Sequence, residues 1–136
     1  MTGGDAQPST ALTYVGRRVL VVDDERFIRT LLAGMLDKLG LKVVGTAADG
    51  AEAVALNEAL MPDLITLDIA MPGMDGIAAL AAILGHSPDA RVLMSTSFSD
   101  RRYVAEAVKL GARGYLTKPF DLAGIRGKLE QLFPAT

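Results

Sequence analysis

The stretch VLVVDDE, residues 19–25, decides the fold class. Its first four residues, Val19 to Val22, are all apolar and mostly β-branched, which is typical of a strand buried on both faces of a parallel sheet. Two adjacent carboxylates, Asp23 and Asp24, follow directly. Because ligands of open parallel sheets bind at the carboxyl ends of the strands, these residues predict a site at that edge of the sheet.

Outward from this stretch, the chain alternates predicted strands with predicted helices. Apolar residues recur at helical spacing from Ile28 to Leu39, and Gly40 ends the pattern. Further strands are predicted at 42–46, 64–67, 92–94 and 115–116, and further helices at 51–60, 77–84, 104–111 and 122–133. Five strand–helix pairs with short connections predict an α/β fold, with a parallel sheet covered by helices on both faces.

The length and composition fit one globular domain and narrow the range of functions. A chain of 136 residues suits a single domain, which we expect at 17–136, after a disordered lead-in at 1–16 that is rich in Gly, Ser, Thr and Pro.

A net charge of −2 gives no broad basic surface, so we expect no direct nucleic-acid partner and no membrane partner. The absence of cysteine excludes thiol chemistry and fits a cytoplasmic protein. The longest apolar run, 77–84, is far shorter than the roughly 18 residues of a membrane span.

Polar residues with complementary chemistry stand where the predicted strands end. Asp68 follows the third strand, Thr96 the fourth and Lys118 the fifth. If strands one and three are neighbours in the sheet, these three side chains would meet Asp23 and Asp24. Three close carboxylates repel one another, and oxygen ligands favour Mg²⁺ or Mn²⁺. A carboxylate nucleophile, a metal, an ammonium and a hydroxyl together predict a phosphoryl-transfer site.

Four stretches of the chain resemble the response-regulator receiver family, the chemotaxis-type phosphorylation domains of two-component signalling. They are VLVVDDE (19–25), PDLITLDIAMPGMDG (62–76), VLMSTS (92–97) and GYLTKPF (114–120). The resemblance implies a flavodoxin-like, doubly wound sheet of five parallel strands in the order 2-1-3-4-5, with five helices. That order is carried over from known folds. The resemblance also implies a stand-alone receiver domain at 17–136.

The resemblance implies a role for each matching acidic residue. Asp68 is expected to be the phosphoacceptor, which takes its phosphoryl group from a sensor histidine kinase or a phosphotransfer protein. The ion is expected to be held directly by Asp24, Asp68 and the backbone carbonyl of Ala70, and by Asp23 through water. The protein would then be no enzyme beyond its own phosphorylation and dephosphorylation.

The resemblance also implies a switch. Thr96 and Tyr115 match the paired switch residues, Lys118 the ammonium that contacts the phosphoryl group, and Pro119 the proline after a cis peptide bond. The downstream target is expected on the face made by the fourth helix, the fifth strand and the fifth helix. Arg101, Arg102, Tyr103 and Glu106 are candidate contacts there.

Two positions depart from the pattern of many family members. Ala70 and Phe98, each two residues beyond a site residue, stand where polar side chains are common. A polar side chain can orient the attacking water, whereas alanine cannot, and a phenylalanine ring can exclude water. We therefore expect these two residues to prolong the lifetime of the phosphoryl group.

Two other functions compete with this interpretation. An aspartate-nucleophile phosphatase of the haloacid-dehalogenase type needs Asp-x-Asp after its first strand, whereas Asp23 and Asp24 are adjacent. A receiver-like scaffold that is not phosphorylated usually lacks an acidic residue or the lysine, and this chain has all of them. Asp24 could also act only as the N-cap of the first helix.

Overall fold

The computed structural model describes residues 13–71 and 73–135. Its strands are β1 (Arg18–Val22), β2 (Lys42–Ala47), β3 (Leu64–Asp68), β4 (Val92–Thr96) and β5 (Gly114–Thr117). Its α-helices are α1 (Arg26–Lys38), α2 (Gly50–Leu60), α3 (Gly76–His86), α4 (Val104–Leu110) and α5 (Leu122–Leu132). A 3₁₀ helix, Phe98–Tyr103, leads directly into α4.

The strands form one parallel sheet in the order β2-β1-β3-β4-β5, which confirms the predicted fold. The register pairs Val22 with Leu67, so the residues that follow, Asp23 and Asp68, stand side by side at the carboxyl edge. Asp68 in turn pairs with Ser95 of β4. The central position of β1 and β3 is therefore what brings the acidic residues together.

Both faces of the sheet are buried, as the apolar composition of residues 19–22 predicts. Leu20 and Val22 pack into a core with α2, α3 and α4. Val19 and Val21 point the other way, into a core with α1 and α5. Alternate side chains of β1 thus fill two different cores, which explains why the strand has no polar face.

Several boundaries differ from those predicted. Asp68 and Thr96 are the last residues of their strands, because backbone pairing continues through them, whereas they were predicted to follow the strands. The predicted lead-in also ends earlier than expected. Its residues 1–12 lie outside the described residues, but Thr13 to Gly16 form a turn in which Tyr14 is only 4% exposed. The Tyr14 ring packs into the core of α1 and α5, so the folded part of the chain begins by Thr13 rather than at residue 17.

Across the described residues, no helix has both the length and the apolar character needed to cross a membrane.

Candidate functional site

Three carboxylates converge at the carboxyl edge of the sheet. Asp23 directly follows β1, Asp24 is the next residue, and Asp68 ends β3. One carboxylate oxygen from each lies within 4.8 Å of the other two. Asp23 and Asp68 are buried and Asp24 is exposed. The cluster therefore opens to solvent on the side of Asp24.

The loop between β1 and α1 holds Asp23 firmly. The backbone N–H of Glu25 donates to Asp23 Oδ1 at 2.9 Å, and Arg29 Nη1 donates to the Asp23 carbonyl oxygen at 2.7 Å. Glu25, not Asp24, is the N-cap residue of α1, and it makes no side-chain capping bond. The alternative role of Asp24 as the N-cap of this helix is therefore wrong.

Lys118 is the cation of the site. Its Nζ lies 2.9 Å from Asp23 Oδ2 and 3.5 Å from Asp68 Oδ2, with its side chain 18% exposed. The Lys118 backbone N–H donates to the Thr96 carbonyl oxygen at 2.8 Å, which ties the end of β5 to β4. The peptide bond between Lys118 and Pro119 is cis, as predicted.

The charges of the site raise the pKa of two groups. Burial first, and repulsion by Asp23 second, raise the pKa of Asp68 from 3.8 to about 7, although Lys118 lowers it. A hydrogen bond with the Asp24 side chain adds to the increase, and the backbone N–H of Ala70 opposes it. Burial disfavours the charge on Lys118, but Asp23 and Asp68 outweigh it and raise the pKa of this ammonium. With one ammonium near three carboxylates, the site favours binding of more positive charge.

The donor set fits a hard divalent cation. All three side chains offer carboxylate oxygens, which suit Mg²⁺ or Mn²⁺ in the absence of thiols and imidazoles. Burial first, and repulsion by Asp23 second, raise the pKa of Asp68, and a bound cation would offset both by favouring the charged carboxylate. Ala70, the source of the expected carbonyl ligand, adjoins the cluster, since its N–H lies 3.3 Å from Asp68 Oδ1.

The two expected switch residues are engaged elsewhere in this structure. The Thr96 side chain is fully buried, and its hydroxyl donates to the Ser97 carbonyl oxygen at 2.9 Å. The Tyr115 hydroxyl accepts from Arg101 Nη2 at 3.3 Å. The Arg101 and Lys128 cations lie 5.8 and 5.2 Å from the centre of the Tyr115 ring. Tyr115 therefore has partners of its own on the surface made by the 3₁₀ helix and α5.

The two positions expected to affect phosphoryl lifetime are both exposed. Ala70 is in the loop after β3, and Phe98 is the first residue of the 3₁₀ helix. The Phe98 side chain is 78% exposed, with the Arg101 guanidinium 5.9 Å from its ring centre. In this arrangement the ring projects into solvent, so water exclusion by Phe98 gains no support from the structure.

Sequence reasoning missed two residues that position the site. Arg29 supports Asp23 through its backbone carbonyl, and no motif marks an arginine at that point of a helix. Gly76 begins α3, directly behind β3. A Cβ on Gly76 would overlap the Asp68 carbonyl oxygen and lie 2.7 Å from Ile69 Cα. The sequence signal for Gly76 is its position at the end of the stretch 62–76, which resembles the receiver family.

Known proteins resemble this chain over most of its length. Residues 19–130 match the response regulator receiver domain family. The chain is 45% identical over 104 residues to Protein CcdB of Bacillus subtilis, covering 76% of this chain and 87% of that one. It is 41% identical over 107 residues to the chemotaxis protein CheY of Thermotoga maritima, covering 79% of this chain and 89% of that one. Among solved structures, the CheX-CheY-BeF3-Mg+2 complex from Borrelia burgdorferi contains a similar chain, with a TM-score of 0.82 and 34% sequence identity. The similarity covers 88% of this chain and 90% of that one.

Proposed function

The chain belongs to the response regulator receiver family, the phosphorylation-activated domains of two-component signalling, and we propose that Asp68 is its phosphoacceptor. The observation that carries this assignment is the difference between the two buried carboxylates. Asp23 accepts a hydrogen bond from Glu25 N–H on one oxygen and pairs with Lys118 at 2.9 Å on the other. The corresponding contacts of Asp68, to Ala70 N–H and Lys118, are 3.3 and 3.5 Å. Asp68 therefore has the oxygens that are less tightly held.

The residues around Asp68 suit phosphoryl transfer. An Asp68 oxygen would bond to phosphorus as the bond from phosphorus to a phosphohistidine nitrogen of a sensor kinase or phosphotransfer protein breaks. Lys118, within 3.5 Å of Asp68, can balance negative charge on the transferred group. Thr96 can donate to a phosphoryl oxygen only after its hydroxyl leaves the Ser97 carbonyl.

We infer that Asp24, Asp68 and the Ala70 carbonyl hold Mg²⁺, or Mn²⁺, directly, with Asp23 acting through water. When bound, the ion would neutralise charge on the phosphoryl oxygens. The three carboxylates within 4.8 Å support this assignment, and the similar Borrelia burgdorferi structure contains Mg²⁺.

Labelling with acetyl phosphate and Mg²⁺, followed by intact mass, tests both assignments. We expect one added group of about 80 Da, the mass of one phosphoryl unit, and its loss in Asp68→Asn. Asp89→Asn changes an exposed carboxylate in the same way and should label like the wild type. Excess EDTA should prevent labelling, and Asp24→Ala should raise the Mg²⁺ concentration needed for it by about tenfold or more. Normal labelling of Asp68→Asn would refute the phosphoacceptor assignment, and labelling in EDTA would refute the metal assignment.

The same experiment separates the competing functions. A receiver takes up one phosphoryl group per chain, so it catalyses only its own phosphorylation and dephosphorylation. Continuous turnover of a phosphomonoester would instead indicate the phosphatase. A folded, Mg²⁺-loaded protein that takes up no label would indicate the scaffold.

We propose that the output surface is the face made by α4, β5 and α5. Tyr115 lies on β5 between two cations, and phosphorylation would draw the Thr96 hydroxyl towards Asp68 and leave space for the tyrosine ring. Of the candidate contacts for a target, Glu106 is on α4, whereas Arg101, Arg102 and Tyr103 are on the 3₁₀ helix that leads into it, and all four are exposed. A shift of this face between two arrangements would thus connect Asp68 to a downstream protein.

We also propose a slow loss of the phosphoryl group. Hydrolysis needs a water placed opposite the Asp68 oxygen, and Ala70 has no polar atom in its side chain to orient one. Phe98 likewise offers no hydrogen bond to water. The absence of polar groups at both positions, more than shielding by the exposed Phe98 ring, is what supports the proposal.

A further inference from the structure

A cavity of about 520 Å³ lies beside the acid cluster, between the loop after β3 and the 3₁₀ helix. Its apolar lining consists of Ile69, Met71, Ile77 and Tyr103, next to the exposed Ala70. Ile69 and Met71 are 4% and 7% exposed and belong to the protein core, so they form a fixed floor. The volume falls in the range of about 300–1,000 Å³ that is typical of small-molecule sites.

Two carboxylates give this cavity its charge. Asp75 accepts the N–H of Ala78 with one oxygen, as the N-cap of α3, and Asp100 accepts the Ser97 hydroxyl with one oxygen. Each keeps a second oxygen that neither bond occupies. In residues 13–71 and 73–135, every ion pair within 4 Å is made by Lys118, so no basic nitrogen approaches either carboxylate that closely.

Among the described residues, no basic side chain lines the cavity. Arg102 adjoins one lining residue, since it donates to the Tyr103 hydroxyl at 3.0 Å and its guanidinium lies 4.8 Å from the centre of the Tyr103 ring. The cavity therefore combines a buried apolar floor with two carboxylates at its wall. Such a lining is complementary to a ligand that has a positive charge on an apolar body.

We propose that this cavity binds a small organic cation, an ammonium or amidinium group carried on an aromatic or aliphatic body. The apolar body would pack on Ile69, Met71 and Ile77, and the cation would lie near Asp75 and Asp100. The Tyr103 ring already has Arg102 4.8 Å from its centre, so the two carboxylates are the groups that would hold the cation. Binding at this site does not depend on phosphorylation of Asp68 or on the metal, so it can be tested with the unphosphorylated protein in EDTA.

Tryptamine is a suitable probe, and tryptophol, in which a hydroxyl replaces the ammonium, is its neutral match. Both have about twelve non-hydrogen atoms, for which a dissociation constant of about 1–10 mM is expected. In ¹H–¹⁵N NMR titrations of the full chain at low salt, tryptamine should shift the amides of Ile69, Met71, Ile77 and Tyr103 with one saturable curve. Tryptophol should bind at least about threefold more weakly.

Variants of the two carboxylates test the charge. Asp100→Asn and Asp75→Asn should each weaken tryptamine binding by about two- to fivefold, the effect of one partly exposed charge. Asparagine at position 75 remains a good helix N-cap, so α3 should persist. Asp89→Asn, an exposed carboxylate in the loop before β4, should change nothing. The proposal is overturned if tryptamine gives no saturable shifts up to 20 mM, about twice the weakest expected dissociation constant, or if the shifts centre elsewhere. Equal binding of tryptophol, or an unchanged dissociation constant in both carboxylate variants, would also overturn it.

Discussion

Replacement of Asp68 by asparagine should stabilise the metal-free domain at neutral pH. The pKa of Asp68 is about 7 in the folded protein and 3.8 in its ordinary state, because burial and Asp23 disfavour the charged carboxylate. Between these two values the folded state binds more protons than the unfolded state, so the free energy of unfolding falls as pH rises. A shift of one pKa unit changes the free energy of unfolding by about 1.4 kcal/mol. The increase in the pKa of Asp68, about three units, therefore lowers the free energy of unfolding by at most roughly 4 kcal/mol.

Asparagine has nearly the same shape but no charge, so it removes this penalty. We expect Asp68→Asn to raise the free energy of unfolding by about 2–4 kcal/mol at pH 7.5 and by less than about 1 kcal/mol at pH 4, where Asp68 is largely protonated when folded. Lys118 keeps Asp23 as its partner at 2.9 Å, which limits the loss from the substitution.

Urea unfolding in EDTA at several pH values, followed by circular dichroism, measures the effect. Asp89→Asn serves as the matched control, since this exposed carboxylate should contribute within about 0.5 kcal/mol at every pH. An equal increase in the free energy of unfolding at pH 4 and pH 7.5 would refute the explanation by ionisation of Asp68. Destabilisation at pH 7.5 would show that the Lys118 contact outweighs burial and repulsion.

Three further predictions concern the output face, the phosphoryl lifetime and the loop geometry. On activation, amide NMR shifts should centre on the face that holds Tyr115, and shifts confined to α2 and α3 would contradict this. The double variant Ala70→Asn, Phe98→Glu should lose its phosphoryl group roughly ten- to a hundredfold faster in saturating Mg²⁺, and an unchanged decay rate would show that these side chains do not set the lifetime. Gly76→Ala should lower the free energy of unfolding by about 3 kcal/mol, because its Cβ would overlap backbone atoms. The matched Gly34→Ala, in open space on α1, should instead raise it by about 0.5–1 kcal/mol in the same urea assay, and similar effects of both variants would contradict the steric explanation.

The sequence predicted β1 and the two aspartates at its end because both follow from residues that are adjacent in the chain. A run such as Val19 to Val22 has one physical interpretation when every side chain is apolar, and Asp23 and Asp24 must then leave the strand at its carboxyl end. The register of β1 and β3 depends on the strand order, which came from the family resemblance. Once that order holds, the approach of Asp68 to Asp23 follows from the pairing of Val22 with Leu67.

What the sequence did not predict depends on side-chain directions and on contacts between distant residues. The turn at Thr13 to Gly16 looked like a flexible lead-in because Gly, Ser and Thr surround Tyr14, yet that ring is buried against residues of α1 and α5. The exposure of Phe98 depends on how the 3₁₀ helix leaves β4, which no periodicity encodes. Arg29, in the first turn of α1, donates back to the carbonyl oxygen of Asp23 in the loop before the helix, a contact that needs coordinates to detect.

The destabilising charge of the acid cluster is also what makes it a receptive site. Asp23 is neutralised by Lys118 and is held by Glu25 N–H, so its charge is already compensated. Asp68 shares the same lysine at the longer distance of 3.5 Å, and burial prevents water from compensating the rest. A divalent cation would remove part of that repulsion and would therefore favour the folded site over the metal-free one. A phosphoryl group on Asp68 brings negative charge of its own, so it would depend on the cation and on Lys118 for compensation. If Asp68→Asn stabilises the metal-free protein at neutral pH and also abolishes both Mg²⁺ stabilisation and labelling, one buried carboxylate accounts for all three effects.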